Sequence, residues 1–165
     1  MISGEVLNDI PPAGKFEEIL FGEDTGTFTY VKFSDGEHAW IGVFENGVFP
    51  SQRKVFIAGE QAAVLADTIL FLIDLSTKKA ILVSRDHFQD LIADANQVFA
   101  VNFTTIHVLD YQRLVKVMEG YYFDMFKFVD INEDRVYCQF YQFGGGWTGL
   151  TVDRQALEIV GKYPA

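Results

Sequence analysis

Two groups of residues in this chain have side chains of the types that do chemistry: the possible ligands of a calcium loop and the titratable groups around one histidine. The segment Asp130-Ile-Asn-Glu-Asp134 has the first three ligand spacings of a calcium-binding loop. Its sixth position is Arg135 where such loops need Gly, and its twelfth is Tyr141 where they need Glu. The three histidines are scattered and have no second ligand at a zinc spacing. The sequence therefore predicts a hairpin turn at 130–134, with no metal and no cofactor.

One loop histidine has neighbours that suit general acid–base catalysis. His87 lies between Asp86 and Asp90, and a histidine beside carboxylates can act as a general base. The same pattern is more typical of a solvated loop. Cys138 has no neighbouring feature that would lower its pKa, and the chain has no Gly-x-Ser-x-Gly motif. The sequence thus favours a protein that is not an enzyme, with a hydrolase that uses His87 and Asp90 as the third hypothesis.

A glycine-rich segment, Gly144-Gly-Gly-Trp-Thr-Gly149, favours a recognition loop over a phosphate loop. It lacks the Lys of a Walker motif, and it lies between strands, whereas phosphate loops lead into a helix. Glycines permit a wide hairpin tip that presents Trp147, although Trp147 could equally begin a strand and enter the core. The second hypothesis is therefore a small-ligand or glycan-binding protein. Its candidate ligand-binding residues are Arg53, Asp67, Arg85, His87, Asn102 and Trp147.

The distribution of charge supports the first hypothesis, a non-enzymatic module that binds a basic protein. The formal net charge is −10, and residues 1–50 carry nine acids against two bases. Such a field repels nucleic acid and anionic membranes and attracts basic partners, although acidity can also serve solubility alone. Immunity proteins, which are small acidic inhibitors of basic toxin domains, resemble this chain in size and charge. The candidate partner-binding residues are Glu17, Glu18, Glu23, Asp24, Asp35, Glu37 and Glu45.

The remaining bulk features predict a cytoplasmic protein. No apolar run approaches the ~18 residues of a membrane helix, and the N-terminus has neither a basic start nor an apolar segment typical of a signal peptide. A single cysteine excludes an internal disulfide framework. The sequence leaves a homo-oligomer open.

The elements that must position these residues are strands, and three stretches repeat one pattern. In each, an apolar strand ends on Asp, a short polar turn follows, and a second apolar strand returns. The Asp residues are Asp74, Asp110 and Asp153, which lie 36 and 43 positions apart. A carboxylate at the end of a strand can accept a hydrogen bond from a backbone N–H two residues on, so we expect structural Asx-turns here.

The spacing of strands and turns predicts an all-β chain of four-stranded antiparallel units. Residues 1–15 are expected to form a tail, and residues 16–165 a single domain. Within it, three repeat units occupy 54–84, 88–117 and 122–161, and a looser acidic unit occupies 16–50. The aromatic strands 121–128 and 136–143 carry apolar groups on both faces, which predicts burial on both sides. They lack the flanking basic residues of a nucleic-acid platform.

The segment Ile69-Leu-Phe-Leu-Ile-Asp-Leu-Ser-Thr-Lys-Lys-Ala-Ile-Leu-Val83 resembles the outer hairpin of β-propeller blades of the YVTN and quinoprotein type, and the segments ending at Val117 and Val160 match more loosely. The resemblance implies stacked four-stranded blades, closed or open, with a sandwich or barrel as the alternative. It also implies that one set of loops shares a face, and that the Asp turns lie elsewhere. Those loops contain Arg53, Asp67, 84–87, 102–104, 118–121 and 144–147.

Overall fold

The computed structural model describes residues 2–94, 97–110, 113–118 and 124–164, and in these ranges it shows an all-β fold. Sixteen strands are present in the described residues, and they form four four-stranded sheets in chain order. Contacts divide the chain into two compact units, residues 1–86 and 87–165, which hold two sheets each. The predicted all-β class of four-stranded units is confirmed.

The first unit contains the first and second sheets. The strands of the first sheet are β1 Ser3–Val6, β2 Glu17–Phe21, β3 Phe28–Ser34 and β4 Ala39–Glu45. The strands of the second sheet are β5 Gln52–Ala58, β6 Gln61–Asp67, β7 Ile69–Asp74 and β8 Lys79–Ser84. One core joins the two sheets, and its large members include Phe33, Phe44 and Phe71.

The first sheet differs from the predicted antiparallel unit. Its strand order is β1-β3-β4-β2, and β2 pairs with β4 in parallel. Residues 3–6, which fall in the predicted tail, form the opposite edge of the sheet by pairing with β3. The segment 22–27 is therefore a crossover and not a hairpin turn, because it carries the chain from β2 past β4 to β3.

The second unit contains the third and fourth sheets, and both are antiparallel throughout. The strands of the third sheet are β9 Asp90–Ala93, β10 Val98–Val101, β11 Ile106–Asp110 and β12 Arg113–Met118. The strands of the fourth sheet are β13 Met125–Ile131, β14 Arg135–Gln142, β15 Gly146–Asp153 and β16 Glu158–Pro164. Their common core includes Phe99, Ile106 and Phe140.

Side chains near the start of β9 tie the third sheet to the fourth. Asp90 is buried, and its carboxylate accepts hydrogen bonds from the backbone N–H groups of Leu91 at 2.8 Å and Phe128 at 2.7 Å. The side chain of Gln89 accepts one from the N–H of Phe126 at 3.0 Å. These bonds satisfy backbone donors of β13, so the polar residues around His87 have a structural use.

The aromatic strands of the fourth sheet are buried on one face only, so their predicted burial on both sides is wrong. Along β13, Phe126 and Phe128 are buried, whereas Met125, Lys127 and Val129 are exposed. Residues 121–123 of the predicted strand lie outside the described residues. Burial on both faces is instead found in the second sheet, where every residue from 62 to 73 is buried.

Candidate partner-binding surface

The acidic residues predicted to bind a partner lie at two opposite ends of the first sheet. Glu17 pairs in register with Trp40 at the start of β4, close to the β3–β4 turn that holds Asp35 and Glu37. Glu23 and Asp24 follow β2 at the other end, where β4 finishes. Strands of five to seven residues separate the two groups by roughly 15–20 Å. We call Glu17, Glu18, Asp35 and Glu37 the acidic edge.

The β3–β4 turn is built by the side chain of Asp35. Its Oδ1 accepts hydrogen bonds from the backbone N–H groups of Glu37 at 3.0 Å and His38 at 2.8 Å. These bonds, of which the one from His38 contributes most, lower the pKa of Asp35 below its ordinary value. Asp35 therefore keeps its negative charge into mildly acidic solution, while its carboxylate remains exposed in the turn.

Two residues of the acidic edge lie on β2, an edge strand of the first sheet. Glu17 forms an ion pair with Lys78, whose ammonium group also lies 5.5 Å from the ring centroid of Trp40. Glu18 points to the opposite face, is exposed, and forms no ion pair within the described residues. An exposed edge strand that carries acids can be approached by a partner from the side.

At the other end of the first sheet, Glu45 is only 6% exposed. It was predicted to bind a partner, but a buried side chain is not accessible to one. Its carboxylate accepts hydrogen bonds from the Glu23 backbone N–H at 2.9 Å and the Arg85 guanidinium at 2.7 Å. The ion pair satisfies a buried charge that would otherwise be costly. Gly22 lies against this carboxylate with a φ of +94°, and a Cβ there would clash with it. The role of Glu45 is thus structural.

Within the first unit, the predicted ligand-binding residues share one end of the second sheet. Asp67 ends β6, Arg53 lies near the start of β5, and Arg85 follows β8. Arg53 donates two hydrogen bonds to the carboxylate of Asp67, at 3.2 and 3.3 Å. Asp67 is buried, has a φ of +55° and also accepts the N–H of Ser51. Arg53, Asp67 and Arg85 are therefore engaged in internal ion pairs.

Within the second unit, the remaining predicted ligand-binding residues also lie at one end of their sheets. His87 is exposed and precedes β9, next to the β10–β11 turn. Asn102 forms that turn by accepting hydrogen bonds from the N–H groups of Thr104 and Thr105. His107 is buried beside Phe88, with 5.6 Å between the ring centroids. Among the described residues, the loops that the blade pattern places on one face therefore lie at one end of their sheets within each unit, and residues 119–121 of the predicted set lie outside the described residues.

Trp147 lies on the sheet surface and not on a wide loop. The hairpin turn comprises only Phe143, Gly144 and Gly145, because β15 begins at Gly146. Trp147 is 37% exposed, its ring centroid lies 5.8 Å from that of Tyr141, and the ammonium group of Lys127 lies 4.7 Å from the ring. The structure therefore supports neither a free recognition loop nor a place in the core.

The predicted Asx-turns are confirmed for Asp74 and Asp153. Asp74 accepts hydrogen bonds from the Ser76 hydroxyl and the Thr77 N–H, and Asp153 accepts the N–H groups of residues 155 and 156. These bonds lower the pKa of both carboxyl groups. The side chain of Asp110 lies outside the described residues. Both confirmed turns lie at the sheet ends opposite to the loops described above.

The calcium-like segment is a hairpin turn, as the sequence predicts. Asn132 accepts hydrogen bonds from the N–H groups of Asp134 and Arg135, and these close the turn between β13 and β14. Among the described residues, no group of three or more His, Cys, Asp or Glu could hold a metal ion. Cys138 is buried, and desolvation followed by the negative charge of Asp90 raises the pKa of its thiol strongly. Such a thiol is a poor nucleophile.

Two further features were not anticipated from the sequence. Arg154 is a buried cation that contacts the carboxylate of Asp94 at 2.6 Å, the side chain of Gln97 at 2.9 Å and the backbone carbonyl of Asn132. In the sequence, Arg154 is distinguished only by its position directly after Asp153. In the first unit, a surface cavity of about 380 Å³ is lined by Phe16, over whose ring lie the ammonium groups of Lys15 and Lys32.

Comparison with known proteins supports the architecture. No protein-family model matches the chain, and no curated protein matches its sequence at a significant level. Among solved structures, the chain is similar to the N-terminal domain of Nup159, a β-propeller, with a TM-score of 0.55 and 10% sequence identity. The match covers 99% of this chain and 51% of the Nup159 chain, so this chain spans about half the length of that structure. At this identity the likeness shows the fold alone, which is propeller-like. The described part of the chain contains no helix able to span a membrane.

Proposed function

We propose that this chain is a non-enzymatic protein-binding module that uses its acidic edge to bind a basic partner. The observation that supports the proposal is the exposure of acidic side chains along one strand and the adjoining turn of the first sheet. In a chain with a net charge of −10, such a group attracts cationic surfaces and speeds their association.

The local ion pairs leave much of this charge uncompensated. Within the described residues, Lys78 pairs with Glu17 and lies close to Trp40, whereas Glu18 and Glu37 form no ion pair. At the opposite end of the sheet, Glu23 has the Arg85 guanidinium 3.7 Å away, and Glu45 is buried. The acidic edge is therefore the better docking region of the two groups.

The exposed carboxylates also indicate the chemical type of partner that we propose. A lysine- and arginine-rich protein surface fits an exposed carboxylate row, and a small acidic inhibitor of a basic toxin domain, acting in the cytoplasm, is one form of this function. That form rests on size and charge, because the fold itself does not imply a function.

Charge reversal with a matched control tests the proposal. In the test variant, Glu18 and Glu37 are each replaced by Lys; in the control, the exposed acids Glu133 and Glu158 of the second unit are replaced in the same way. Both variants carry the same net charge. Immobilised wild type and the control should retain the same basic protein from a lysate of the source cells, identified by mass spectrometry, whereas the test variant should lose it.

The measured quantity is the dissociation constant of that purified protein as a function of salt. We expect a steep weakening as ionic strength rises, because exposed charges are screened over about 8 Å at physiological salt. Equal binding by the test and control variants, or a retained partner without a basic surface, contradicts the proposal.

A further inference from the structure

The segment 7–16 crosses the first sheet on the face away from the core. It connects β1 to β2, which are the two opposite edges of that sheet. On β3, Val31 and Phe33 belong to the core, so Lys32 between them points to the other face. Lys32 and most residues of the segment 7–16 line the surface cavity of about 380 Å³. The segment therefore forms one wall of this cavity, and β1 and β3 form its floor.

Hydrogen bonds and two prolines hold this wall in place. The backbone N–H of Leu7 donates to the carbonyl of Tyr30 at 2.8 Å, and that of Lys15 donates to the carbonyl of Pro12 at 3.3 Å. Pro11 is buried, and the ring of each proline fixes the backbone φ angle. The cavity is therefore preformed, as small-ligand sites usually are.

Two lysines at this cavity are the only Lys or Arg residues among the first fifty positions. The ammonium groups of Lys15 and Lys32 lie 5.4 and 5.6 Å from the ring centroid of Phe16. Nine acids fall within the same fifty positions, yet neither lysine forms an ion pair with any described residue. A cation–π contact near solvent is weak and leaves the charge of the cation in place. Both charges are therefore available to an anion.

The rest of the cavity lining is mainly apolar. Its apolar members are Val6, Leu7, Ile10, Pro11 and Pro12. The volume lies near the lower end of the ~300–1,000 Å³ that is typical of ligand pockets, so it suits a small molecule. Glu5 and Asp9 also line the cavity, and Glu5 is the cross-strand neighbour of Lys32. These carboxylates can accept hydrogen bonds from hydroxyl groups of the same ligand.

We propose that this cavity binds a small organic anion, whose carboxylate or phosphate group contacts the ammonium groups of Lys15 and Lys32 and whose apolar body contacts the rest of the lining. The long, flexible stem of each lysine lets both ammonium groups reach one anionic group. The cavity shares no residue with the acidic edge, so the proposal does not depend on the basic protein partner.

Two probes test the proposal, because the anion could be a phosphate or a carboxylate. They are 1-naphthyl phosphate and 1-naphthoate, which place each kind of charge on one apolar body. The controls are 1-naphthol, which has the body without the charge at neutral pH, and inorganic phosphate, which has the charge without the body. In titrations of the ¹⁵N-labelled chain followed by NMR, at least one probe should shift the amide signals of residues 5–10 and 32. Its dissociation constant should be lower than that of either control by about tenfold or more.

Substitutions that change one charge each test the contacts. Lys15→Gln and Lys32→Gln should each raise the dissociation constant of the bound probe by about fivefold or more. Lys79→Gln, at an exposed lysine of the second sheet outside the cavity lining, makes the same change in net charge and should leave the dissociation constant unaltered. Glu5→Gln removes the negative charge beside Lys32 and should lower the dissociation constant.

A purely structural role of the two lysines, in which they only hold the segment 7–16 through Phe16, predicts a different pattern. It predicts lowered urea midpoints for Lys15→Gln and Lys32→Gln and no effect of Glu5→Gln on binding. Urea unfolding of every variant separates loss of the fold from loss of binding. The proposal is overturned if neither anion binds more tightly than 1-naphthol. It is also overturned if Lys79→Gln weakens binding as much as the two cavity variants do, or if Glu5→Gln does not tighten it.

Discussion

At the scale of single residues, the acidic side chains of this chain divide into two kinds by their hydrogen bonds. Asp35, Asp74 and Asp153 each hold a turn by accepting two or more bonds from nearby donors. Glu18 and Glu37 make no such bonds among the described residues, and they are free to meet a partner. Amino-acid type and charge alone do not separate these two kinds, because the difference lies in the backbone around each carboxylate.

The turn carboxylates predict a specific dependence of stability on pH. Bonds from Ser76 and Thr77 lower the pKa of Asp74 below its ordinary value of 3.8, so the ionised form stabilises the folded state. That contribution is present above the ordinary pKa and is lost as the pH falls through the lowered one. In Asp74→Asn, the amide oxygen still accepts the backbone bond but carries no charge.

We therefore expect the urea midpoint of wild type to exceed that of Asp74→Asn above about pH 5, and the difference to shrink as the pH falls below the ordinary pKa of 3.8. Unfolding in urea, followed by tryptophan fluorescence from about pH 5 downwards, measures this difference. Asp24→Asn, which removes a charge outside the Asx-turns, is the matched control. A difference that stays constant across this range would show that the charge of Asp74 does not stabilise the turn.

At the scale of elements, the strands of the three antiparallel sheets are predictable from sequence, whereas the ties between sheets are not. The runs 54–58, 62–66, 69–74 and 80–84 correspond to β5–β8 because each is an apolar segment between turn residues. The parallel position of β2 has no local signal, since pairing with β4 depends on contacts distant in sequence. Nor does the sequence show which face of β13 stays open. The alternation of Phe with other residues along β13 shows which face is buried only once the position of the neighbouring sheet is known.

Arg154 is one such tie in the second unit, and its removal should destabilise the fold. It is 6% exposed and joins the β15–β16 turn to the β9–β10 and β13–β14 turns. Arg154→Ala leaves the carboxylate of Asp94 without this partner, so we expect a loss of about 2–4 kcal/mol in the free energy of unfolding.

Arg135→Ala is the comparison, because Arg135 pairs with Asp153 at 2.9 Å and its side chain is 35% exposed. A partly solvated pair is expected to contribute less than about 1 kcal/mol. Arg154→Lys should also be destabilised, since an ammonium group does not reproduce the fork of a guanidinium. Chemical denaturation of the three variants measures their losses in the free energy of unfolding. Equal losses for Arg154→Ala and Arg135→Ala would show that the buried Arg154 contacts stabilise the second unit no more than a partly exposed ion pair does.

At the scale of the whole molecule, the acidic groups differ in whether the fold leaves them exposed. The net charge is −10, and the acidic edge lies on an exposed edge strand and the adjoining turn, whereas Glu45 is buried against Arg85. Binding at the acidic edge is electrostatic and is screened by salt, while a buried pair is screened much less. Salt should therefore weaken partner binding without weakening the fold.

We expect that raising sodium chloride from low to high concentration raises the dissociation constant of the basic partner at least tenfold and does not lower the urea midpoint of the chain. Binding of the purified partner and urea unfolding of the chain alone, measured over the same salt series, give the dissociation constant and the midpoint. A dissociation constant that stays constant across the series would mean that the acidic edge does not bind its partner through charge.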